Sequence, residues 1–460
     1  MKMAAARKDD RVPTVPQAEG AVLVLGMGGT GVSCARFLAA HGARAMFADT
    51  RSAPPGAATI RAVLPAAEIF PAGVPVAVPP GVTRLLVSPG VDLTLPVLQD
   101  ARRRGIPVLS DIDLFVSEAK APITAITGSN GKSTVTSMAG AMLAGAGVRV
   151  AVGGNLGTPA LDLLDPAVES YVLELSSFQL ERSAPVPAAA AVVLNVTPDH
   201  LDIHGNMAAY TAAKGRVYAA CGVAVVNRDL PELAALVPAG TPTLGFGLAT
   251  PRDDDFGLLP RADGPWLARG TEALLPAASL QVTGRHNLSN ALAALALCTV
   301  SGVPVRALLP GLCTYQSLPH RMALVARRNG VTWMDDSKAT NVGAAVTSVG
   351  SVDGPLVLIA GGDAKGASFE ALADALRGRE CVAVLLGQDR ELLAAALDGL
   401  CPVRRVADMP AAVREAAVVA RSGWTVLLAP ACSSLDMYRD YSARGDAFRD
   451  AVLALHGSTA

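Results

Sequence analysis

The 39 basic residues of this chain comprise 32 arginines and only seven lysines: Lys2, Lys8, Lys120, Lys132, Lys214, Lys338 and Lys365. Where arginine is accepted almost everywhere, a retained lysine points to work a guanidinium cannot do. Such work includes a compact charge on a phosphate, or an amine that can lose its proton. Lys132 lies in Thr127-Gly128-Ser129-Asn130-Gly131-Lys132-Ser133-Thr134. Glycines there let the backbone turn its N–H groups toward phosphate oxygens, and a following helix adds positive potential. Lys132 would neutralise the outer phosphates, and the Ser133 hydroxyl suits Mg²⁺. The segment departs from the strict phosphate-loop pattern, because Ile126 stands where the first glycine is expected. Lys2, Lys8 and Lys120 have no comparable surroundings.

Other polar groups fall at the ends of apolar runs, where open α/β sheets hold their ligands. Glu174 ends Tyr171–Glu174 and, beside a phosphate loop, is a sensible Mg²⁺ ligand. Asn195-Val196-Thr197-Pro198-Asp199-His200 follows the next run, and His200 could bind metal or hydrogen-bond a reacting group. Lys214 sits in a helical stretch, where an exposed surface lysine is the competing reading. Asp335-Asp336-Ser337-Lys338-Ala339-Thr340-Asn341, Gly361-Gly362-Asp363-Ala364-Lys365-Gly366 and Pro430-Ala431-Cys432-Ser433-Ser434-Leu435-Asp436 follow three later strands. Cys432 has no histidine partner in sequence and reads as packing.

Gly26, Gly28 and Gly31 complete a G-x-G-x-x-G fingerprint, and Asp49 follows at the distance of a ribose-binding acid. Taken alone this reads as an NAD site. Arg51 beside Asp49 would equally suit the phosphate of another nucleotide diphosphate.

These groups need elements to hold them. At 460 residues the chain exceeds one core. With 51% hydrophobic and 4% aromatic residues, its interior is built from Ala, Val and Leu, as in buried parallel sheets. Strands are expected at Ala21–Leu25, Ala43–Ala48, Ile123–Ile126, Val148–Val152, Tyr171–Glu174, Ala191–Asn195 and Val223–Asn227. A helix follows over Asn287–Val300, with further strands at Val331–Met334, Leu356–Ile359, Val382–Leu386 and Thr425–Leu428. The reading is α/β throughout: a disordered tail over residues 1–20, then blocks over 21–110, 111–317 and 318–460. The formal charge of −1 gives no electrostatic case for nucleic acid or an anionic membrane. No apolar run is long enough to span a bilayer, and the N-terminus lacks a signal-peptide core. Seven scattered cysteines without metal spacing suggest reduced thiols in a cytoplasmic protein.

The run of motifs resembles the Mur ligases of peptidoglycan synthesis, over about residues 21 to 455. The residues carrying the resemblance are TGSNGKST at 127–134, GGNLG at 153–157, LELSSFQLE at 173–181 and NVTPDHLD at 195–202. They continue with AAKGR at 212–216, GRHNLSNALAA at 284–294, LPHR at 318–321, DDSKATN at 335–341, GGDAKG at 361–366 and ACSSLDMYRDY at 431–441. SSFQLE, DSKATN and SLDMYRDY point to the branch that adds D-glutamate. Ala323 and Ala429 depart from the family pattern, at positions without an assigned chemical role.

The resemblance implies a three-domain, monomeric, cytoplasmic ligase: an N-terminal Rossmann-like domain, a central P-loop-type ATP-binding domain and a C-terminal Rossmann-like domain. It would join D-glutamate to UDP-N-acetylmuramoyl-L-alanine at the expense of ATP. UDP replaces NAD at the first glycine loop, with Gly28, Thr30, Thr50 and Arg51 holding it. Gly128, Ser129, Asn130, Gly131, Lys132, Ser133 and Thr134 would take the ATP phosphates, with Asn287, Asn290, Arg321 and Asp336 as further ATP contacts. Two Mg²⁺ ions would draw on Ser133, Glu174, His200 and a carbamate formed from CO₂ on Lys214. Asn155 and His200 would face the muramoyl substrate. Lys338, Thr340, Lys365, Ser434, Leu435 and Tyr441 would hold D-glutamate. Lys132, Glu174, His200, Lys214 and Lys338 form the expected catalytic set.

Overall fold

The computed structural model describes residues 20–70, 73–282 and 284–455. The expected tail lies outside the described residues except for Gly20. Three sheets carry the architecture. Among the described residues, two of these sheets belong to one compact unit that takes in those up to 195, 211–279 and 289–313; the third belongs to a second unit that takes in those within 196–210, 280–288 and from 314 onward.

In the first unit, a five-stranded parallel sheet runs in the spatial order Glu68–Ile69, Arg44–Ala48, Ala21–Leu25, Val82–Val87 and Val108–Leu109. Ala21–Leu25 is buried along its whole length, as a central parallel strand covered on both faces must be. The order reverses beside this strand, and its C-terminal end delivers the first glycine loop. A nine-stranded sheet follows, with Ile123–Thr127 between Ala190–Val193 and Ser170–Glu174. Both neighbours are parallel to it, so the loops after all three strands emerge at one edge. Its far side is closed by an antiparallel meander, Phe256–Arg261, Gly264–Arg269 and Glu272–Pro276.

The second unit holds a six-stranded sheet ordered Ala323–Arg328, Val331–Asp335, Thr425–Leu428, Leu356–Gly361, Cys381–Leu386 and Val403–Arg405. Only the first of these strands is antiparallel. Two apolar clusters cover the faces, one centred on Leu358, Leu372 and Leu427, the other on Ile359, Val413 and Phe448. Alternate residues of the central strands feed opposite clusters, following the two-residue period of a pleated strand. No helix among the described residues is long and apolar enough to cross a membrane.

Candidate active site

The Lys132 segment runs from strand Ile123–Thr127 into helix Lys132–Gly145, as its residue types require. Gly131 precedes the helix at φ 83°, a backbone state that glycine adopts without strain. A Cβ there would stand 2.7 Å from Asn290 Oδ1. Gly128 has φ 150°, and a Cβ there would lie 3.1 Å from the Leu194 Cβ. No side chain caps the helix at Gly131, so the helix opens on backbone N–H groups, the arrangement that receives anions.

Asn195 fixes the loop. Its Oδ1 accepts from Asn130 N at 2.8 Å, its Nδ2 donates to Asn130 O at 3.0 Å, and its carbonyl accepts from Ser129 N at 2.9 Å. Lys132 Nζ donates to the carbonyls of Gly128 and Ser129, both at 2.8 Å. Lys214, only 1% exposed, donates from Nζ to the same Gly128 carbonyl at 2.8 Å. The surface-lysine reading of Lys214 therefore fails: its amine is held inside the phosphate-loop neighbourhood. Glu174 is 2% exposed, and its Oε1 accepts from Asn155 Nδ2 at 2.6 Å. Ser133 is buried at the start of the helix. Hard oxygen donors in this setting suit Mg²⁺. Ser176 and Gln179, from the SSFQLE run, form a reciprocal capping box on helix Ser177–Arg182; their visible work is to start that helix just after the Glu174 strand.

At the first glycine loop, Asp49 does not behave as a free ribose acceptor. Met27 N donates to Oδ2 at 2.6 Å, while Arg51 donates from its backbone N, Nε and a terminal nitrogen to both oxygens. The Arg51 guanidinium is the main reason the carboxyl is held well below the usual range. Arg51 remains half exposed, and one of its terminal nitrogens is 3.9 Å from where a Gly28 Cβ would be. The pair thus fixes a guanidinium beside the loop, as the phosphate alternative requires. Thr30 is half-buried in the first turn of helix Gly29–Ala40, and Thr50 is exposed beside Arg51.

In the second unit, His200 adopts φ 54° and caps helix Leu201–His204. Its backbone N donates to Asp199 Oδ1 at 3.0 Å, and Asn341 Nδ2 donates to Asp199 Oδ2 at 3.1 Å. Asn287 is buried near the start of helix Arg285–Val300. His320 and Met322, flanking Arg321, both have positive φ. Asp336 anchors that turn by accepting from Met322 N at 3.2 Å and from the Ser348 hydroxyl. Burial pushes its carboxyl up to about 6, against the opposing pull of Ser348 and Arg321. Lys338 Nζ stands 4.1 Å from the centre of the Tyr441 ring, a cation–π contact. Thr340 follows directly, and Asn341 caps helix Val342–Gly350.

Lys365 has φ 49° and lies in a loop tied to the Ser433 segment by a two-way backbone bridge between Asp363 and Ser433. Ser434 is buried there, whereas Leu435 is 68% exposed. One residue joins these loops: buried Arg444 donates to the carbonyls of Ser337, Cys432 and Gly361, and to the Ser337 hydroxyl. Burial lowers this guanidinium to about 10. Sequence reading missed Arg444, which follows the SLDMYRDY run by three positions; nothing in a helical arginine's sequence context signals burial. Burial also pushes the Cys432 thiol up to about 12, consistent with packing. Among the described residues, no three His, Cys, Asp or Glu side chains gather as a metal site.

The sequence models for "Mur ligase MurD-like, N-terminal domain", "Mur ligase middle domain" and "Mur ligase, glutamate ligase domain" match residues 20–110, 126–298 and 320–432. The UDP-N-acetylmuramoylalanine–D-glutamate ligase of Nitrosococcus oceani is 49% identical, covering 96% of this chain and 98% of that protein. The chain belongs to the Mur ligase family. The ligase of the same name from Pseudomonas aeruginosa is 47% identical, over 94% of this chain and 97% of its own. Among solved Mur ligase structures, UDP-N-acetylmuramate-alanine ligase from Thermotoga maritima superimposes with a TM-score of 0.60 at 18% identity, over 95% of this chain and 100% of that one. A pseudomurein peptide ligase type C from Methanothermus fervidus gives the same TM-score at 17% identity and the same coverage. The fold is the N-terminal, middle and C-terminal arrangement of Mur ligases.

Proposed function

We propose that this Mur ligase joins D-glutamate to UDP-N-acetylmuramoyl-L-alanine in an ATP-dependent reaction of peptidoglycan precursor synthesis, as a cytoplasmic monomer. The observation that carries the reading is the loop at Gly128–Lys132, with two buried or half-buried lysine amines converging on the Gly128 carbonyl. It is joined by 44–49% identity to ligases of that name over nearly the whole chain.

A carboxylate is a poor electrophile, and transfer of a phosphoryl group to it makes an acyl phosphate. Lys132, with the loop residues Gly128, Ser129, Asn130, Gly131 and Thr134, would hold the ATP phosphates, and Lys338 would offset charge on the group in transit. Asn287, Asn290, Arg321 and Asp336 would hold the rest of ATP. Mg²⁺, when bound, supplies Lewis-acid stabilisation of phosphoryl oxygens. Ser133, Glu174, His200 and a carbamate on Lys214 would be its ligands. A carbamate forms when a neutral lysine amine attacks CO₂, which arginine cannot do. Gly28, Thr30, Thr50 and Arg51 would bind the UDP portion, and Asn155 and His200 the muramoyl portion. Lys338, Thr340, Lys365, Ser434, Leu435 and Tyr441 would bind D-glutamate, whose amine attacks the acyl phosphate and expels phosphate.

Phosphate release from ATP and Mg²⁺ with UDP-N-acetylmuramoyl-L-alanine tests this, with D-glutamate, L-glutamate, L-alanine and diaminopimelate added in turn. Release that needs D-glutamate is expected. Release with another amino acid instead would move the chain to a sister activity.

A further inference from the structure

Cys381 opens strand Cys381–Leu386, and Cys401 lies two residues before strand Val403–Arg405 at the edge of the third sheet. The strands run parallel, with Ala383 opposite Val403. Ala383 N also donates to Pro402 O at 2.9 Å, so pairing continues back past the assigned strand. Two residues back along both chains places Cys381 opposite Cys401. The two-residue period then points both side chains to one face, and both cysteines pack on the same apolar cluster. Neighbouring parallel strands lie roughly 4.8 Å apart, inside the span of roughly 4.4–6.8 Å that a disulfide bridges. Both residues are free thiols here.

We propose that Cys381 and Cys401 form a peroxide-reactive dithiol that closes to an intrachain disulfide at the edge of the third sheet. Cys381 is 6% exposed and Cys401 half-buried, which leaves an entry for a molecule as small as hydrogen peroxide. A hydrogen bond from Cys401 favours the Cys381 thiolate, and Arg379 adds to this against the opposing cost of burial. The guanidinium of Arg379 is fixed by bonds to the carbonyls of Val349, Val352 and Gly354. By contrast, burial raises Cys34, Cys221, Cys298 and Cys432, which disfavours the reactive thiolate; Cys401 is raised too, chiefly by its hydrogen bond to Cys381, so Cys381 is the member of the pair that meets peroxide.

The chemistry balances with one peroxide. The Cys381 sulfur takes one peroxide oxygen as the O–O bond breaks, giving a sulfenic acid and water. The Cys401 sulfur then attacks the Cys381 sulfur. The S–S bond forms, the S–O bond breaks, and the departing hydroxyl leaves as water with the Cys401 proton. Two thiols and one hydrogen peroxide become one disulfide and two waters. The closed loop contains helix Arg390–Ala396 and Asp389, whose Oδ2 accepts from Ala364 N at 2.7 Å. The bond would therefore tether the crossover segment that supports the Lys365 loop.

The test is peptide mapping of the full-length protein after brief hydrogen peroxide treatment and alkylation of the remaining thiols. The expected result is a Cys381–Cys401 linked peptide, lighter by two hydrogens and opened by dithiothreitol, with five of the seven cysteines still alkylated. In C401S, dimedone should trap a sulfenic acid on Cys381. Oxidation elsewhere with both of these thiols alkylated, or no oxidation at all, would overturn the proposal. These readouts do not depend on ligase activity.

Discussion

Lys132 and Lys214 donate to one and the same oxygen, the carbonyl of Gly128, each at 2.8 Å. Their amines therefore stand no farther apart than twice that distance. Two cationic amines so placed repel, whereas converting one to a carbamate anion replaces repulsion by attraction. Replacing Lys214 with arginine keeps the charge and forbids the carbamate. K214R should lower kcat by at least roughly 100-fold, the scale on which a fixed charge-stabilising group acts. K214A should be similarly impaired and partly rescued by formate or acetate. Unchanged turnover in K214R would remove the carbamate from the account.

Asn195 holds the phosphate loop through two side-chain hydrogen bonds to Asn130. Two such bonds contribute about 1–3 kcal/mol to the loop's shape. N195A should raise the KM for ATP by about 10-fold while leaving the KM for D-glutamate close to that of the parent. Steady-state kinetics with each substrate varied in turn checks this, and equal effects on both would point to general unfolding.

Arg444 joins the Ser337, Gly361 and Cys432 segments through four hydrogen bonds. A lysine preserves charge but not the planar fork. R444K should raise the KM for D-glutamate by about 10-fold or more and lower the thermal midpoint, since carbonyls at three strand ends lose their donor at about 1–3 kcal/mol each. A parental KM for D-glutamate in R444K would contradict this role.

Asp111, at the start of helix Asp111–Glu118, is pushed up to about 6, chiefly by burial. Its Oδ1 is buried and makes no hydrogen bond among the described residues. The unfolded chain releases this proton near pH ~3.9, so the folded state holds it longer. Stability from this group is therefore full below about pH 4, falls as pH rises toward 6, and is flat above. D111N should flatten that fall and stabilise at pH 7.5 by on the order of 2 kcal/mol. Thermal midpoints at pH 5 and 7.5 measure it; Asp336, raised in the same range, keeps part of the slope in the variant.

Much of this architecture is legible because buried parallel strands are continuous apolar runs. Val223–Asn227 and Thr425–Leu428 begin and end where their residues change character. The meander from Phe256 to Pro276 is not read that way, because its strands are only partly buried and Pro260 and Pro265 interrupt them. Its local signals are the glycines at its two tight connections, Gly264 at φ 115° and Gly270 at φ 51°. The family motifs mix two kinds of residue that sequence cannot separate. Glu174 and Lys338 carry chemistry in the proposed reaction, whereas Ser176, Gln179 and Asn341 cap helices. Burial of Lys214 and Arg444 was hidden for a simpler reason: each lies on a helix whose sequence permits exposure, and only packing decides which way the side chain turns.

The central claim is ligation through a phosphorylated carboxylate, and oxygen labelling tests it most directly. UDP-N-acetylmuramoyl-L-alanine carrying ¹⁸O in its alanyl carboxylate would be turned over with ATP, Mg²⁺ and D-glutamate, and both products weighed. The account predicts one label in each phosphate released and a UDP product heavier by one glutamyl residue. Unlabelled phosphate, or labelled phosphate without the glutamyl product, would contradict it.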